Sequence, residues 1–182
     1  MDSDYVLQHP AGRVTALCSL GAVVDAPFDV DAFLEEGRRP AQVASVSASG
    51  APLLGSLWFA FERGRFWFSS AADSPLPRAA RRGALAAVIV DEFDPPTSIR
   101  QIRIRGRAQI EPHDPSVVTR IYQRYLGRDI GAWPQFFQSR IHQADGWLLW
   151  SVYPDSGLAV TSPGFDEHAC RWAQAGDAPF RR

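Results

Sequence analysis

The sequence contains no lysine, because all 19 of its basic residues are arginine. Any phosphate or carboxylate that this chain binds is therefore held by guanidinium groups, backbone N–H groups or hydroxyls. The formal net charge is only -1 at pH 7. A nearly neutral chain does not carry the strongly basic surface that binds nucleic acid, so we expect no nucleic-acid partner.

Cysteines and long apolar runs are also scarce. Cys18 and Cys170 are the two cysteines, and they lie too far apart in sequence for a recognisable disulfide or zinc pattern. No apolar run approaches the length that crosses a bilayer, and the acidic start M-D-S-D is unlike a signal peptide. These features predict a cytoplasmic protein without a membrane partner.

The common catalytic and metal-binding motifs are missing as well. Glycine-rich dinucleotide and phosphate loops are absent, and no G-x-S-x-G motif supports a hydrolase. The four histidines do not have the spacing of metal ligands, so no metal site is predicted. Each remains an alternative axial ligand for a haem; they are His9, His113, His142 and His168.

The stretch from Ala44 to Ile110 organises the chain. It contains apolar or alternating runs rich in β-branched and aromatic residues, which is typical of strands. Ser49-Gly50 and Arg63-Gly64 stand where hairpin turns are expected, since glycine accepts the positive φ of such turns. The pattern predicts a mainly β fold with peripheral helices, in which six or seven antiparallel strands close into a small barrel without exposed edges.

The periodicity also predicts the individual elements. Strands are expected over residues 42–47, 52–62, 65–69, 84–90, 99–110 and 147–153, with 157–160 pairing with the last of these. Helices are expected from Asp29 or Asp31 to Glu36, from Asp73 or Ser74 to Arg82, from Asp114 to Leu126, and over 165–174, with a loop at 130–137. The expected organisation is an N-terminal arm and short helix (1–40), a barrel (41–160), and a C-terminal extension packed on the barrel (161–182).

The segment from Ser69 to Arg82 has the groups that a phosphate monoester needs. Two hydroxyls, Ser69 and Ser70, precede a helix start, and three arginines follow at positions 78, 81 and 82. Helix N-terminal N–H groups, hydroxyls and guanidinium groups all bind phosphate. The alternative is a solvated arginine face on a surface helix.

The last long strand carries four polar side chains on one face, namely Gln101, Arg103, Arg105 and Arg107. This face is therefore not ordinary core, and it faces solvent, a polar ligand or a subunit interface. Gln101 is notable because a carboxamide offers both a donor and an acceptor to the edge of a heteroaromatic ring. The aromatic residues of the hairpin at 58–68 are most simply core, although a flat cofactor also favours them.

The order of these motifs resembles that of a known family. A turn S-A-S-G is followed by P-L-L-G-S-L-W-F, R-F-W-F-S-S, an arginine-bearing helix, A-A-V-I-V and R-Q-I-R-I-R-G-R-A-Q-I. This order resembles the pyridoxamine 5'-phosphate oxidase-like flavoproteins, closely over 41–112 and more loosely to Pro154. The resemblance implies the FMN-binding split β-barrel fold and a homodimer with cofactor sites at the subunit interface. It also implies a flavin-dependent oxidoreductase acting on a small molecule.

The resemblance further implies which residues meet the cofactor. The backbone of 55–59 would contact the flavin ring, as would Gln101, while Ser69, Ser70 and Arg78 would lie near the ribityl phosphate. The family's basic pair, however, falls here on Pro75 and Leu76, so Arg78, Arg81 or Arg82 would replace it. The resulting candidates for cofactor binding are Ser56, Leu57, Trp58, Ser69, Ser70, Arg78, Arg81, Gln101 and Arg103.

Three functions remain open at this point. The leading hypothesis is an FMN-dependent oxidoreductase with an unidentified small substrate. A second is a deazaflavin-dependent reductase, in which the arginines at 78, 81, 82, 103 and 105 line a groove for an acidic cofactor tail. A third is a haem-binding or other non-enzymatic split-barrel protein. The substrate residues of true pyridoxamine phosphate oxidases are not recognisable, so a vitamin B6 enzyme is not predicted.

Overall fold

The structure is a computed structural model that describes residues 27–95 and 98–161, together with the backbone of 168–172. The helices are α1 (Val30–Glu35), α2 (Pro75–Ala80), α3 (Pro115–Leu126) and α4 (Gln135–Arg140), with a 3-10 turn at Ile130–Ala132. The strands are β1 (Ala41–Val46), β2 (Pro52–Leu57), β3 (Phe59–Glu62), β4 (Arg65–Ala71), β5 (Leu85–Asp94), β6 (Ser98–Glu111), β7 (Trp147–Val152), β8 (Ser156–Thr161) and β9 (His168–Trp172).

The nine strands form one antiparallel sheet that curls into a split barrel. Its main path runs β2-β1-β5-β6-β7-β4-β3, and β8 and β9 branch from β6. The end strands of the path, β2 and β3, are consecutive in the chain and are joined by Trp58 alone. Among the described strands, no hydrogen-bonded ladder joins β2 to β3. The expected closure of the barrel is therefore wrong. Strand β2 keeps one edge without a partner strand in the described part of the chain.

Strand β6 changes partner at Gly106. Residues 100–105 pair with β8, whereas residues 108–111 pair with β7. A Cβ at Gly106 would stand 1.8 Å from the carbonyl oxygen of Tyr153. Only glycine allows the chain that leaves β7 to pass this close to β6 and enter β8.

The inside of the barrel is the main hydrophobic core. Alternate residues of β1, β5 and β6 point inward, and they include Val43, Val88 and Ile104, each at most 1% exposed. Outside, helices α3 and α4 cover the half of the sheet formed by β3, β4 and β7 with a second apolar cluster around Ile121. Helix α2 contacts β1, β2 and β6 through the main core, so no described helix covers the outer surface of the other half, formed by β2, β1, β5, β6 and β8.

Arginine contacts attach helix α1 to the rest of the fold. Arg124 of α3 donates to the backbone carbonyls of Leu34 and Glu36, at the end of α1. Nearby, Glu92 accepts from Arg39 at 2.7 Å and from Arg100 at 2.9 Å. The hydrogen bond from Arg100 is the main reason that the pKa of Glu92 lies below its ordinary value.

Most element predictions are confirmed. Asp29 and Asp114 cap α1 and α3 by accepting backbone N–H groups, and both predicted turns have glycines with positive φ. The prediction of one strand over 52–62 is wrong, because the strand is interrupted at Trp58 and its two parts pair with different neighbours. Helix α2 ends at Ala80 rather than Arg82.

Three further expectations are wrong in the second half of the chain. Residues 130–137 contain the 3-10 turn and the start of α4 instead of a loop. Strand β8 pairs with β6 and β9 rather than with β7. Within the expected helix at 165–174, residues 168–172 form β9, and the remaining residues lie outside the described part. The N-terminal arm, apart from residues 27–40, also lies outside it.

Candidate functional site

The uncovered half of the sheet surface is the main candidate site, and we call it the bare face. It is formed by the outward residues of β2, β1, β5, β6 and β8. Cross-strand pairing sets Ser56, Gln42, Ile89 and Arg103 in one row on four adjacent strands. Since strands lie about 4.8 Å apart, the backbones of Ser56 and Arg103 are roughly 15 Å apart.

The bare face is unusually apolar for a surface exposed to water. Among the described residues, six large hydrophobic side chains are exposed, and four of them belong to this face. Leu54 is 77% exposed, Phe93 71%, Leu85 61% and Val46 47%. An exposed apolar patch of this kind marks a site of association or ligand binding. In the sequence, this surface is indicated by the apolar run of β5, because that run places hydrophobic residues on both faces of one strand.

A column of arginines borders the apolar part of the bare face. Arg103, Arg105 and Arg107 alternate with buried residues along β6 and are exposed, as predicted. The side chain of Gln101 is half-buried, and its carbonyl oxygen accepts from Nε of Arg103. Arg107 donates to the carbonyl of Gly83, next to helix α2. Arg105 has no side-chain partner among the described residues and remains open to an anion.

The predicted β2 residues occupy the open edge of the sheet. The hydroxyl of Ser56 accepts a 3.2 Å hydrogen bond from Gln42, a residue that sequence reasoning missed. Leu57 is half-buried against the main core. The ring of Trp58 stacks on Tyr125, with centroids 4.8 Å apart and planes at 4°. The side chain of Trp58 is thus fixed in the second apolar cluster, so what Trp58 offers a ligand is its backbone.

The backbone N–H of Phe59 is already occupied. It donates to the hydroxyl of Tyr125 at 3.2 Å, and that hydroxyl donates in turn to the carbonyl of Arg39 at 3.0 Å. Burial raises the pKa of Tyr125, which keeps the hydroxyl protonated for the second bond. Within residues 55–59, a ligand can therefore use only the backbone N–H groups of residues before Phe59.

The two serines at the end of β4 point to opposite faces of the strand. Ser70 is buried, and its hydroxyl accepts from Nε1 of Trp150 at 3.2 Å. The hydroxyl of Ser69 is half-buried on the other face, 3.5 Å from that of Tyr122. The alternation of a strand prevents both side chains from meeting one phosphate. Ser69 is the one whose side chain is partly accessible.

The arginines of α2 fall into two groups. Arg82 is engaged within the chain, because it donates to the carbonyls of Arg78 and Val46. Arg78 and Arg81 are exposed, and their side chains have no partner among the described residues. Pro75 is exposed, whereas Leu76 is a member of the main core. Of these arginines, Arg78 and Arg81 are thus the two that are free to bind an anion.

The histidines and acidic residues do not assemble a metal site in the described part of the chain. Nε2 of His113 lies 2.9 Å from the carbonyl oxygen of Ile141, and His142 is exposed. His168 belongs to β9, of which only the backbone is described, and His9 lies outside the described residues. No described helix is long and apolar enough to cross a membrane.

Comparison with solved structures agrees with this fold. A conserved hypothetical protein of Mycobacterium tuberculosis has a TM-score of 0.58 at 17% identity, covering 87% of this chain and 92% of that one. An F420 reductase has a TM-score of 0.50 at 18% identity, with coverages of 70% and 95%. An FAD- and haem-binding protein of Mycobacterium smegmatis has a TM-score of 0.58 at 15% identity, with coverages of 79% and 80%. At these identities the likeness shows the fold alone.

Comparison of the sequence itself gives the family. No curated protein matches the sequence significantly. The sequence profile described as pyridoxamine 5'-phosphate oxidase matches residues 29–150, which is more than half of the chain and runs from the cap of α1 into β7. The chain therefore belongs to the pyridoxamine 5'-phosphate oxidase family.

Proposed function

We propose that this protein is an FMN-dependent oxidoreductase for a small molecule and that it binds FMN between the bare faces of two copies of the chain. The observation that carries the proposal is the bare face itself. It exposes Leu54, Leu85 and Phe93 to water, it has an arginine column along one side, and it includes the open edge of β2. A second copy that covers this face removes the apolar surface from water and encloses a flat ring at its border.

The residues present fit a phosphorylated flavin. The backbone of Ser56 and Leu57 at the open edge of β2 offers hydrogen-bonding groups to the polar edge of the ring, and Gln101 offers a carboxamide. Arg78 and Arg81 are the free cations for the phosphate, and the hydroxyl of Ser69 is partly accessible. Ser70 and Trp58 support the site through Trp150 and Tyr125.

In such a site the cofactor supplies the redox chemistry, by accepting or donating a hydride. The chain's own residues bind the phosphate, orient the ring and exclude water. No acid–base side chain has to act on the substrate, because the cofactor itself carries the hydride. Arg103 and Arg105, at the border of the bare face, stabilise negative charge near the ring or its tail.

The test is a fluorescence titration with FMN of the wild type and of the Arg78→Ala variant. Loss of a charge-assisted hydrogen bond costs about 1.5–3 kcal/mol, so we expect FMN to bind at least about tenfold more weakly. Arg128→Ala is the matched control, because Arg128 is exposed and has no described side-chain partner. A wild-type protein that binds no FMN contradicts the proposal. If Arg78→Ala binds FMN as tightly as the wild type, the phosphate is assigned to Arg81 instead.

A deazaflavin is the second candidate, and the arginine column favours it. Arg103, Arg105 and Arg107 extend over five residues of β6, which is about 13 Å of strand and more positive charge than one phosphate needs. One of the similar structures is an F420 reductase. Parallel titrations with FMN and with a deazaflavin separate the two candidates. A haem-binding role predicts a Soret band on addition of haem, lost on substitution of His142 or another histidine.

A further inference from the structure

Among the described residues, five arginines have half-buried side chains, and four of them pair with an acidic side chain or donate to two backbone carbonyls. Arg39 and Arg100 pair with Glu92, and Arg65 pairs with Glu111. Arg124 donates to two backbone carbonyls. The fifth, Arg140, has no acidic partner in the described part of the chain and donates to a single acceptor. A partly buried cation without a counter-ion points to an anion that comes from outside the chain.

The guanidinium of Arg140 is held in place by two aromatic rings and one carbonyl. It lies 5.2 Å from the ring centroid of Phe136 and 5.5 Å from that of Trp147. Nη1 donates to the carbonyl of Asp145 at 2.9 Å, and Nε is buried without a partner, as it is in Arg39, Arg100 and Arg124. Nη2 has no described partner. Cation–π contacts and a backbone bond thus orient the group while one side of its donor fork stays available.

This arrangement adjoins the end of β4, which carries Ser69, a candidate for binding the cofactor phosphate. Trp147 pairs with Ala71, two residues after Ser69. Burial raises the pKa of Tyr122, and its hydrogen bond with Ser69 and the charge of Arg140 offset this only in part; the two hydroxyls lie 3.5 Å apart. Phe136, which contacts Trp147 at 5.6 Å, is 47% exposed and offers an aromatic surface beside the guanidinium.

We propose that Arg140, Phe136 and Trp147 form a binding site for a planar aromatic carboxylate, the substrate of the enzyme. The carboxylate accepts from Nη2 of Arg140, and the aromatic ring of the ligand packs on the exposed ring of Phe136. This assignment of the substrate class depends on the proposed function, since the site is a substrate site only if the cofactor binds nearby. The binding of the carboxylate itself does not require the cofactor.

The test is calorimetric titration of the full chain with 2-naphthoate, without added cofactor. We expect saturable binding that is at least about tenfold weaker in Arg140→Gln, because a charge-assisted hydrogen bond is lost. Arg128→Gln, which removes the same charge from an exposed position, is expected to bind like the wild type. 2-Naphthalenemethanol lacks the charge, and cyclohexanecarboxylate lacks the aromatic ring. Both are expected to bind more weakly than 2-naphthoate.

Two further variants keep the test decisive if Arg140→Gln does not fold. Arg140→Lys keeps the charge without the planar fork, and Phe136→Leu removes the exposed ring. Both are expected to weaken 2-naphthoate binding. Absence of binding to the wild type, or equal affinity for the acid and the alcohol, overturns the site. Binding of 2-naphthoate by a protein that takes up neither FMN nor a deazaflavin supports the site and overturns the proposed function, so the two failures are distinguishable.

Discussion

Leu76 packs directly beneath Gly55, with its Cδ1 atom 3.0 Å from the point where a Cβ on Gly55 would stand. The contact joins α2 to the strand whose backbone borders the proposed cofactor site. Leu76 is only 8% exposed and belongs to the main core. Leu76 therefore supports β2 from inside the barrel.

This contact predicts that the two residues are energetically coupled. Leu76→Ala is expected to lower the free energy of unfolding by about 2–5 kcal/mol because it leaves a cavity, and Gly55→Ala by about 1–3 kcal/mol because it crowds Leu76. In the double variant the added methyl group enters the cavity, so the loss is expected to be smaller than the sum. Urea denaturation of the four proteins measures the coupling, and additive losses would show that the side chains do not share the space.

Arg124 is expected to contribute more to the free energy of unfolding than Arg120, which lies on the same helix. Arg124→Gln removes the hydrogen bonds to the carbonyls of Leu34 and Glu36 and the guanidinium 4.2 Å above the ring of Phe59. We expect it to lower the free energy of unfolding by about 2 kcal/mol. Arg120→Gln breaks an exposed pair with Glu62 and is expected to cost less than about 1 kcal/mol. Equal losses in urea denaturation would contradict the attachment of α1 by Arg124.

The carboxylate of Glu92 is expected to make the stability of the fold depend on pH. Its pKa is lowered in the folded state, so its ionised form contributes stability that is present above the ordinary pKa of 4.5 and is lost as the pH falls through the lowered value. We expect Glu92→Gln to be less stable than the wild type at neutral pH and to differ from it progressively less below about pH 4.5. Melting temperatures between about pH 7 and pH 3 measure this difference. A gap that is constant with pH would mean that the carboxylate makes no favourable ion pair.

Local sequence patterns predicted the elements that depend on local physics. Helix α3 has the expected apolar face, with Val117 and Ile121 buried, because a period of 3.6 residues over three turns has few alternatives. Alternation along β6 predicted which side chains are buried and placed Arg103 and Arg105 outside. In the candidate site, the sequence therefore predicted which faces carry charge.

Contacts between distant segments were not predictable in this way. The partner of β8 depends on the crossing at Gly106, where the carbonyl of Tyr153 takes the place of a side chain, and the short strand has no pattern that encodes it. Ser70 looked like a free hydroxyl in the sequence, whereas Trp150, 80 residues away, occupies it. The uncovered half of the sheet became visible only once α3 and α4 were seen to cover the other half.

The central claim is that two chains bury their bare faces and hold the cofactor between them. Leu54→Asp introduces a charge at the most exposed apolar side chain of this face and is expected to prevent association. Ile130→Asp is its control, because Ile130 is an exposed hydrophobic residue outside the bare face. Since both side chains are exposed in the single chain, both variants are expected to keep the fold.

Sedimentation velocity with FMN, recorded in both the protein and the flavin absorption bands, tests this claim most directly. We predict that flavin absorbance sediments with a dimer in the wild type and in Ile130→Asp. In Leu54→Asp the chain is predicted to sediment as a monomer without flavin. Flavin that sediments with a monomer, or a dimer that persists in Leu54→Asp with its flavin bound, would contradict a cofactor site between the bare faces.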